Sequence, residues 1–445
     1  MDAMGDDVVN DWINQLPDEI LVDIINRLSV VEAARTSVLS TRWKYLWTFI
    51  TSLDFHSPRG MWKVLNKLDE NEQSIKWTWG AVYRRYDREI LVKRAKYICW
   101  VNKVLELHRG SSIDELKVSY ELYDSHERII TSWIRAAISK GVQKLELNLR
   151  AAWGNRQYTF PKELSSISSL KSLSLSGVNV TSEIIESLVY NCPLLERLCV
   201  ANSRPWLCLK VVISSIRLKH LVIEGCFSNE EFEISTPSLL SFKYHGTGHI
   251  KLNVQNVPQL VDLYISGYNL SNMIRPFINY LTQLETLELH FYLCEDNTRS
   301  PLCELPKLRY LTLSVSAPGA GNLFVLTHMI RACPFLLKFT LKFQLVGPRT
   351  ERAIKQFPKC AHEHLKVVEF IGFVGHSIDL ELAFYLLKNS ISLEKMIIDL
   401  TSPFSRGNYW DFEDCEEKKE EKKAARMRAR KLKEKAPKGV KLVIY

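Results

Sequence analysis

The chain has 445 residues, of which 46% are hydrophobic and 24% are charged, and its formal net charge is +9 at pH 7. This is an ordinary globular composition, and the length suits two or three average domains, or one small module followed by a repeat array. No window holds about 18 consecutive apolar residues, which argues against a membrane span. The ten cysteines include no C-x-x-C pair, so we expect free thiols and a location in the cytoplasm, the nucleus or both.

The positive charge is concentrated in the C-terminal tail. Residues 416–445 contain 12 Lys and Arg against 5 Asp and Glu, a net charge of +7, which leaves +2 for the other 415 residues. A repeat surface that followed nucleic-acid phosphates would need its positive charge on the repeats themselves. Nucleic acid is therefore not expected among the partners.

A short helical module is predicted between residues 11 and 50. The run Leu16-Pro17-Asp18-Glu19 predicts a sharp helix start, because proline suits the first turn and acidic residues suit its positive end. A stripe of apolar residues at helical spacing follows, and Ser29 to Glu32 reads as a capping box that opens a second helix. A core of this size gives only marginal stability by itself. A partner is therefore expected to cover part of the apolar stripe.

This module closely resembles the F-box in the form common in plant proteins. The resemblance rests on LPDEIL at its start and on the EA-R-TSVLS-RW-YLW run at its end. It implies docking onto a Skp-type adaptor, which links such chains to a cullin–RING ubiquitin ligase. Ser29 departs from the family, where many members carry proline, and the capping box explains why serine works. The resemblance places adaptor contacts at Leu16, Pro17, Ile20, Leu21, Ile24, Val38, Leu39 and Trp43.

For these eight residues the alternative is that they fill the core of the module itself, and the sequence leaves that open.

Residues 51–110 are predicted to form a helical linker that caps the first repeat. Its main element is a helix from about Glu89 to Leu107.

From residue 111 onward the chain repeats an apolar-x-x-apolar-x-apolar pattern. The pattern occurs twelve times at intervals of 21 to 29 residues, which is the period of leucine-rich repeats. Each repeat is expected to place one short strand in a shared sheet. The fold class is therefore predicted as α/β, with a small all-helical F-box module followed by a curved leucine-rich-repeat solenoid over residues 111–360. The middle residues are Leu116, Leu145, Leu173, Leu198, Leu221, Phe242, Leu263, Leu287, Leu311, Phe339, Val368 and Met396.

The segments that return between strands differ with repeat length. Short repeats between Cys208 and Leu263 have no room for a full helix, so their return segments are predicted to be extended. The long repeats are predicted to carry helices at 131–139, 182–191, 322–332 and 380–389.

The side chains that flank each middle residue are expected to face solvent on the sheet. They combine both charges with two tyrosines near the centre, which favours a protein ligand over a polyanion. The predicted target-binding residues are Lys243, Tyr264, Glu288 and Tyr310. Ordinary solvated sheet residues are the alternative for each of them.

Residues 361–445 include a stretch that closely resembles the FBD module found at the end of many plant F-box proteins. The resemblance rests on HLKVVEFIGFVGHSIDLELAFYLLKNSISLEKMIIDL, residues 364–400. We predict the last repeats followed by a C-terminal cap, which consists of a charged helix and a closing strand from Val440 to Ile444. The resemblance does not assign a biochemical role to this module.

No constellation of residues predicts an enzyme, a metal site or a cofactor. Cys192 and Cys333 each precede a proline at a turn and read as buried packing residues. The ligand-type residues Cys360, His362 and His364 match no standard zinc spacing.

The predicted function is that of a non-catalytic, substrate-recognition subunit of an SCF-type cullin–RING E3 ubiquitin ligase. Its expected partners are a Skp-type adaptor, bound through the F-box, and an unknown target protein, bound through the repeats. The alternative is an interaction scaffold that does not deliver a substrate for ubiquitination.

Overall fold

The structure is a computed structural model that describes residues 12–56, 79–149, 156–203, 210–225, 231–246, 251–267, 274–292, 304–318, 323–346, 360–403 and 416–445. The chain forms two compact units, Met1–Arg204 and Pro205–Tyr445. This division falls inside the predicted repeat region, and the domain boundaries predicted from the sequence remain predictions. Within the described residues, no helix is long and apolar enough to span a bilayer.

The first unit begins with a helical module, which we call the docking module and define as residues 12–50. Its helices are α1 (Asp18–Ile25), α2 (Val30–Arg35) and α3 (Trp43–Leu46). The predicted capping box is confirmed: the Glu32 backbone N–H donates to Ser29 Oγ at 3.3 Å, and the Ser29 N–H donates to Glu32 Oε2 at 3.0 Å. Two of the orphan N–H groups at the start of α2 are thereby satisfied.

A parallel sheet follows the docking module in the first unit, with neighbouring strands in chain order. The apolar second and fourth residues of each strand point into the core, so the middle leucines stack in register from one repeat to the next. The strands are β1 (Ser52–His56), β2 (Glu115–Ser119), β3 (Lys144–Asn148), β4 (Ser172–Ser176) and β5 (Arg197–Ala201). The helices are α4 (Trp79–Leu107), α5 (Glu127–Ser139) and α6 (Ser182–Asn191).

Strand β1 and the start of α4 differ from prediction. Leu53 of β1 pairs in register with Leu116 of β2, although the two strands lie 63 residues apart in sequence. That interval is far outside the repeat period, so periodicity could not identify β1. The helix predicted from Glu89 begins at Trp79 instead.

Among the described residues of the second unit, the strands form two parallel sheets. The strands are β6 (Lys210–Ser214), β7 (His220–Glu224), β8 (Glu231–Ser235), β9 (Ser241–His245), β10 (Lys251–Gln255), β11 (Asp262–Ser266), β12 (Thr286–Tyr292), β13 (Tyr310–Pro318), β14 (Lys338–Val346), β15 (Val367–Ile371), β16 (Lys395–Asp399) and β17 (Lys441–Ile444). The larger sheet has the order β7-β9-β11-β12-β13-β14-β15-β16-β17, and the smaller has the order β10-β8-β6. The helices are α7 (Phe324–Arg331), α8 (Ser377–Asn389) and α9 (Glu416–Lys435).

The main sequence predictions for the repeats are confirmed. All twelve predicted strands occur, each with its middle apolar residue buried, and the α/β class holds. The four predicted return helices are present with ends shifted by a few residues. The short repeats return through β8 and β10, which build the small sheet with β6. The predicted closing strand is β17, paired with β16.

Candidate docking surfaces

The docking module presents an apolar surface to solvent. Ile20 and Ile24 of α1 are each 45% exposed, and Val38 and Leu39 of the following turn are 85% and 65% exposed. Pro17 is exposed and Leu16 is half-buried. Exposed aliphatic side chains gathered on so small a module mark an interaction surface.

Leu21 and Trp43, which were also predicted as adaptor contacts, lie in the core of the module. Leu21 is fully buried and Trp43 is 6% exposed. In α1 the pair Leu21 and Ile25 faces inward, whereas Ile20 and Ile24, one residue earlier in each case, face outward. The single apolar stripe read from the sequence therefore consists of two adjacent faces, one buried and one exposed. Leu21 and Trp43 do not belong to the exposed face.

Arg42 links the two segments that carry these exposed side chains, which are α1 and the turn that contains Val38 and Leu39. Its guanidinium Nη2 lies 2.6 Å from the Asp18 carboxylate and donates to the Leu16 carbonyl. The start of α1 is thereby tied to the segment that follows Val38 and Leu39. An exposed ion pair contributes little stability, so its main effect is to set the geometry of the surface.

Sequence reasoning missed further apolar residues on the module. Trp12 is 69% exposed, Ile13 is 56% exposed, and Leu28 and Val31 are 38% and 36% exposed. Leu28 belongs to the apolar stripe read from the sequence, whereas Trp12 and Ile13 precede the LPDEIL run on which the resemblance rests. We define the docking face as Trp12, Ile13, Leu16, Pro17, Ile20, Ile24, Leu28, Val31, Val38 and Leu39.

The residues predicted to bind a target lie on the solvent-facing side of the larger sheet in the second unit. Lys243, Tyr264 and Glu288 are in register on the adjacent strands β9, β11 and β12. Tyr310 opens β13, where it registers with Thr286, and it is 47% exposed. The structure therefore aligns three of the four residues in one row and places the fourth two residues away along the strands.

The charges in this row are already paired within the sheet. Lys243 Nζ lies 3.3 Å from the Glu224 carboxylate and 4.8 Å from the centre of the Tyr264 ring. Glu288 Oε1 lies 2.5 Å from Lys342 Nζ. A partner that displaced one of these groups would leave the other without its counter-charge, so the aromatic surface between the pairs is the more favourable contact.

Two histidines that the sequence prediction did not select complete the patch. The His245 and His290 rings stack at a centroid distance of 5.7 Å and cover Ser266, which lies between them in register and is 4% exposed. The Tyr264 hydroxyl lies 3.4 Å from His245 Nδ1. Only cross-strand register reveals this neighbourhood. We define the central patch as Glu224, Lys243, His245, Tyr264, Glu288, His290 and Lys342.

Burial controls the ionisation of the central patch. Desolvation lowers the pKa of His245 and of His290, and it raises the pKa of the Tyr264 hydroxyl. The two imidazoles and the phenol are therefore neutral near pH 7. The patch presents neutral aromatic groups framed by two ion pairs.

Three of the residues singled out in the sequence are buried and have packing roles, namely Cys192, Cys333 and His362. Cys333 Sγ donates to the Met329 carbonyl at 3.2 Å, and burial raises the pKa of its thiol to about 12. Burial likewise raises the pKa of Cys192. The His362 ring contacts the Tyr385 hydroxyl at 3.1 Å. Within the described ranges, no group of three or more Cys, His, Asp or Glu is arranged to hold a metal ion.

Two family models match the sequence. The F-box domain model matches residues 13–51, which cover most of the docking module. The model described as At1g61320/AtMIF1, LRR domain, matches residues 162–445.

Curated proteins of Arabidopsis thaliana resemble the chain over most of its length. The F-box/FBD/LRR-repeat protein At5g53840 is 25% identical over 87% of this chain and 88% of its own length. The FBD-associated F-box protein At4g10400 is 25% identical over 87% of this chain and 92% of its own length. The F-box/FBD/LRR-repeat protein At2g26030 is 24% identical over 88% of this chain and 92% of its own length.

Proposed function

Because this chain belongs to the F-box proteins that carry a leucine-rich-repeat domain of the At1g61320/AtMIF1 family, we propose that it is the substrate-recognition subunit of an SCF-type cullin–RING ubiquitin ligase. The docking module binds a Skp-type adaptor, and the repeat strands bind a target protein. The chain contributes proximity, because holding a target beside the conjugating enzyme raises the effective concentration of its lysines. Such a subunit acts in the cytoplasm, the nucleus or both.

The exposed apolar docking face is the observation that carries this proposal. A module of three short helices leaves Ile20, Ile24, Val38 and Leu39 in contact with water, and burying such side chains stabilises a complex by about 1.5–3 kcal/mol each at most. A partner that covers this face with apolar side chains accounts for their exposure.

Replacing Ile24 with aspartate tests the adaptor interaction. Ile24→Asp places a charge on the docking face and leaves the core residues Leu21 and Ile25 unchanged. We expect the affinity for a purified Skp-type adaptor, measured by calorimetry, to fall at least on the order of a hundredfold. The control is Arg27→Gln, a change at an exposed residue beyond the end of the same helix, which is expected to bind normally.

Unchanged adaptor affinity of a folded Ile24→Asp protein would contradict the docking proposal. Co-purification separates the ligase subunit from a scaffold. The wild-type chain is expected to bring down both the adaptor and a cullin. Capture of the adaptor without any cullin would favour the scaffold.

The central patch and Tyr310 are the proposed target-binding surface. Proteins that are proximity-labelled by the chain and accumulate on the Ile24→Asp background are the candidate targets. For one such target confirmed with purified protein, we expect Tyr264→Ala combined with Tyr310→Ala to weaken binding at least tenfold, because aromatic anchors carry much of an interface. The matched control is Tyr190→Ala, a tyrosine that is 86% exposed on α6 in the other unit. Equal binding by the double variant and the control would reject this surface.

A further inference from the structure

A largely buried cluster of hydrogen-bonding groups joins the end of the docking module to the first repeats. We call it the joint and define it as Thr48, Ile50, His108, Gly110 and Lys140. The Arg109 and Gly110 backbone N–H groups donate to the Thr48 carbonyl at 2.8 and 3.2 Å, and His108 Nε2 lies 2.9 Å from the Ile50 carbonyl. Segments 58 residues apart in sequence therefore meet here through hydrogen bonds.

Lys140 closes the joint from the side of the repeats. Its ammonium lies 2.7 Å from His108 Nδ1 and donates to the carbonyls of His108 and Gly110, each at 3.0 Å. An ammonium group has three N–H donors, so all three have acceptors. Hydrogen bonds from a charged donor contribute more than neutral ones.

The local backbone determines where Lys140 can reach. Lys140 is the C-cap of α5, and Gly141 follows with a φ of 71°, the left-handed conformation that ends helices. The Lys140 carbonyl also accepts the Ile113 N–H at 3.0 Å. The end of α5 is thus bound to residues 108–113 by its main chain as well as by its side chain.

The joint is tightly packed around position 110. A Cβ atom added at Gly110 would lie 3.0 Å from the His108 ring and 3.3 Å from the Phe49 carbonyl. His108 itself is 7% exposed. The docking module and the first repeats therefore approach closely enough for their relative orientation to depend on this cluster.

The network assigns His108 to one neutral tautomer. Because an ammonium donates to Nδ1, that nitrogen is an acceptor, and the proton lies on Nε2, which donates to Ile50. A second proton on Nδ1 would oppose Lys140, the charged group that contacts the ring. Arg109, the next residue, directs its guanidinium over the Tyr45 ring of the docking module at 4.9 Å.

We propose that His108 and Lys140 are positioning residues that fix the docking module against the first repeats and so determine which lysines a bound ligase can reach. The inference rests on the proposed ligase function. It concerns the transfer geometry, because neither side chain belongs to the docking face or to the central patch.

Lys140→Met tests the joint because it keeps the length of the side chain and removes its charge and its donors. In the full-length chain bound to a Skp-type adaptor, we expect hydrogen exchange at the Arg109, Gly110 and Ile113 amides to accelerate on the order of tenfold. Exchange in α1 and α2, and the adaptor affinity, are expected to stay unchanged. The control is Lys103→Met, whose lysine is 61% exposed and pairs with Glu106.

The pH dependence of protection at these amides is a readout that loss of packing alone would not change. Burial and Lys140 lower the pKa of His108. The His108 imidazole therefore binds a proton more readily when the joint is open than when it is closed. Protection is therefore expected to be full above the ordinary histidine pKa of about 6.5 and to be lost as the pH falls below it. This dependence is expected to weaken in Lys140→Met.

The map of self-ubiquitinated lysines in the reconstituted ligase tests the functional consequence. With a rigid joint, modification is expected to concentrate on few lysines, and Lys140→Met is expected to spread it over more of them at similar total yield. Local exchange and a modification map that both match wild type would overturn the proposal, as would a loss of protection shared by all of α1 and α2. If the wild-type chain does not bind the adaptor, the ligase function fails, while the same exchange experiment on the free full-length chain still tests the joint.

Discussion

Asp379 is a carboxylic acid that the protein encloses completely at the start of α8. Its Oδ2 accepts the Val374 and Gly375 N–H groups at 2.7 and 2.9 Å, and its Oδ1 has no hydrogen-bond partner among the described residues. Burial raises the pKa of this carboxyl group to about 6, even though nearby backbone N–H groups, first those of Gly375 and Val374, favour the ionised form. The residue thus serves as an acceptor for a tight turn, at the cost of a buried charge above that pH.

Two substitutions at Asp379 separate its role as an acceptor from its charge. Because the folded pKa is raised, the contribution to stability is present below the unfolded value near 4 and is lost as the pH rises through about 6. Asp379→Asn keeps an acceptor without the charge, so the free energy of unfolding is expected to lose this pH dependence and to be no lower than wild type at pH 7.5. Asp379→Ala leaves two N–H groups unpaired and is expected to cost about 2 kcal/mol.

Chemical denaturation between pH 4 and 7.5 provides the measurement. If Asp379→Asn and Asp379→Ala were equally destabilising at pH 7.5, the assignment of the acceptor role would be wrong.

Residues at the helix start determine where a helix begins, and α2 is the clearest case. Ser29 has φ −64° and ψ 156°, and it exchanges hydrogen bonds with Glu32 in a complete capping box. The same φ lies within the range that proline requires. Serine and the proline found in many F-box sequences are therefore two ways to start this helix, one through a hydrogen bond and one through a restricted backbone.

Removing the cap tests its contribution at the scale of one element. Ser29→Ala deletes the acceptor for the Glu32 N–H, so exchange of the α2 amides is expected to accelerate on the order of fivefold. The comparison is Ser37→Ala, a serine in the turn after α2. Equal protection in the two variants would show that packing against the rest of the module, and not the cap, holds α2 in place.

At the scale of the whole molecule, the stability of each repeat depends on its contacts with the neighbouring repeats. Met396 and Ile398 of β16 are fully buried, and they register with Leu442 and Ile444 of the closing strand β17. In a repeat array a terminal element shields the last repeat from water and occupies the edge of its sheet.

Deleting residues 440–445 is expected to destabilise the end of the second unit. Amides of β15 and β16 lose protection first, because their neighbour on one side is gone, whereas β2 to β4 of the first unit keep theirs. Hydrogen exchange of the truncated chain measures this gradient. Tyr445→Ala, which retains the backbone of β17, serves as the control, and a uniform loss of protection across both units would contradict nearest-neighbour stacking.

The amino-acid sequence was sufficient wherever the signal is local. The twelve repeat strands, the four return helices and the Ser29 capping box follow from spacings of a few residues, which periodicity and capping chemistry record directly. The docking module was recognisable for the same reason. Sequence also identified a solvent-facing row at Lys243, Tyr264 and Glu288, because alternation along a strand assigns each residue to a face.

Tertiary structure decided what depends on residues far apart in the chain. It turned Ile24 outward and Ile25 inward, added β1 beside β2, and stacked His245 on His290 across an intervening strand. It also brought Lys140 to His108 and so connected the docking module to the first repeats. Periodicity shows that a residue is apolar or exposed, but contacts between distant segments determine which neighbour it meets.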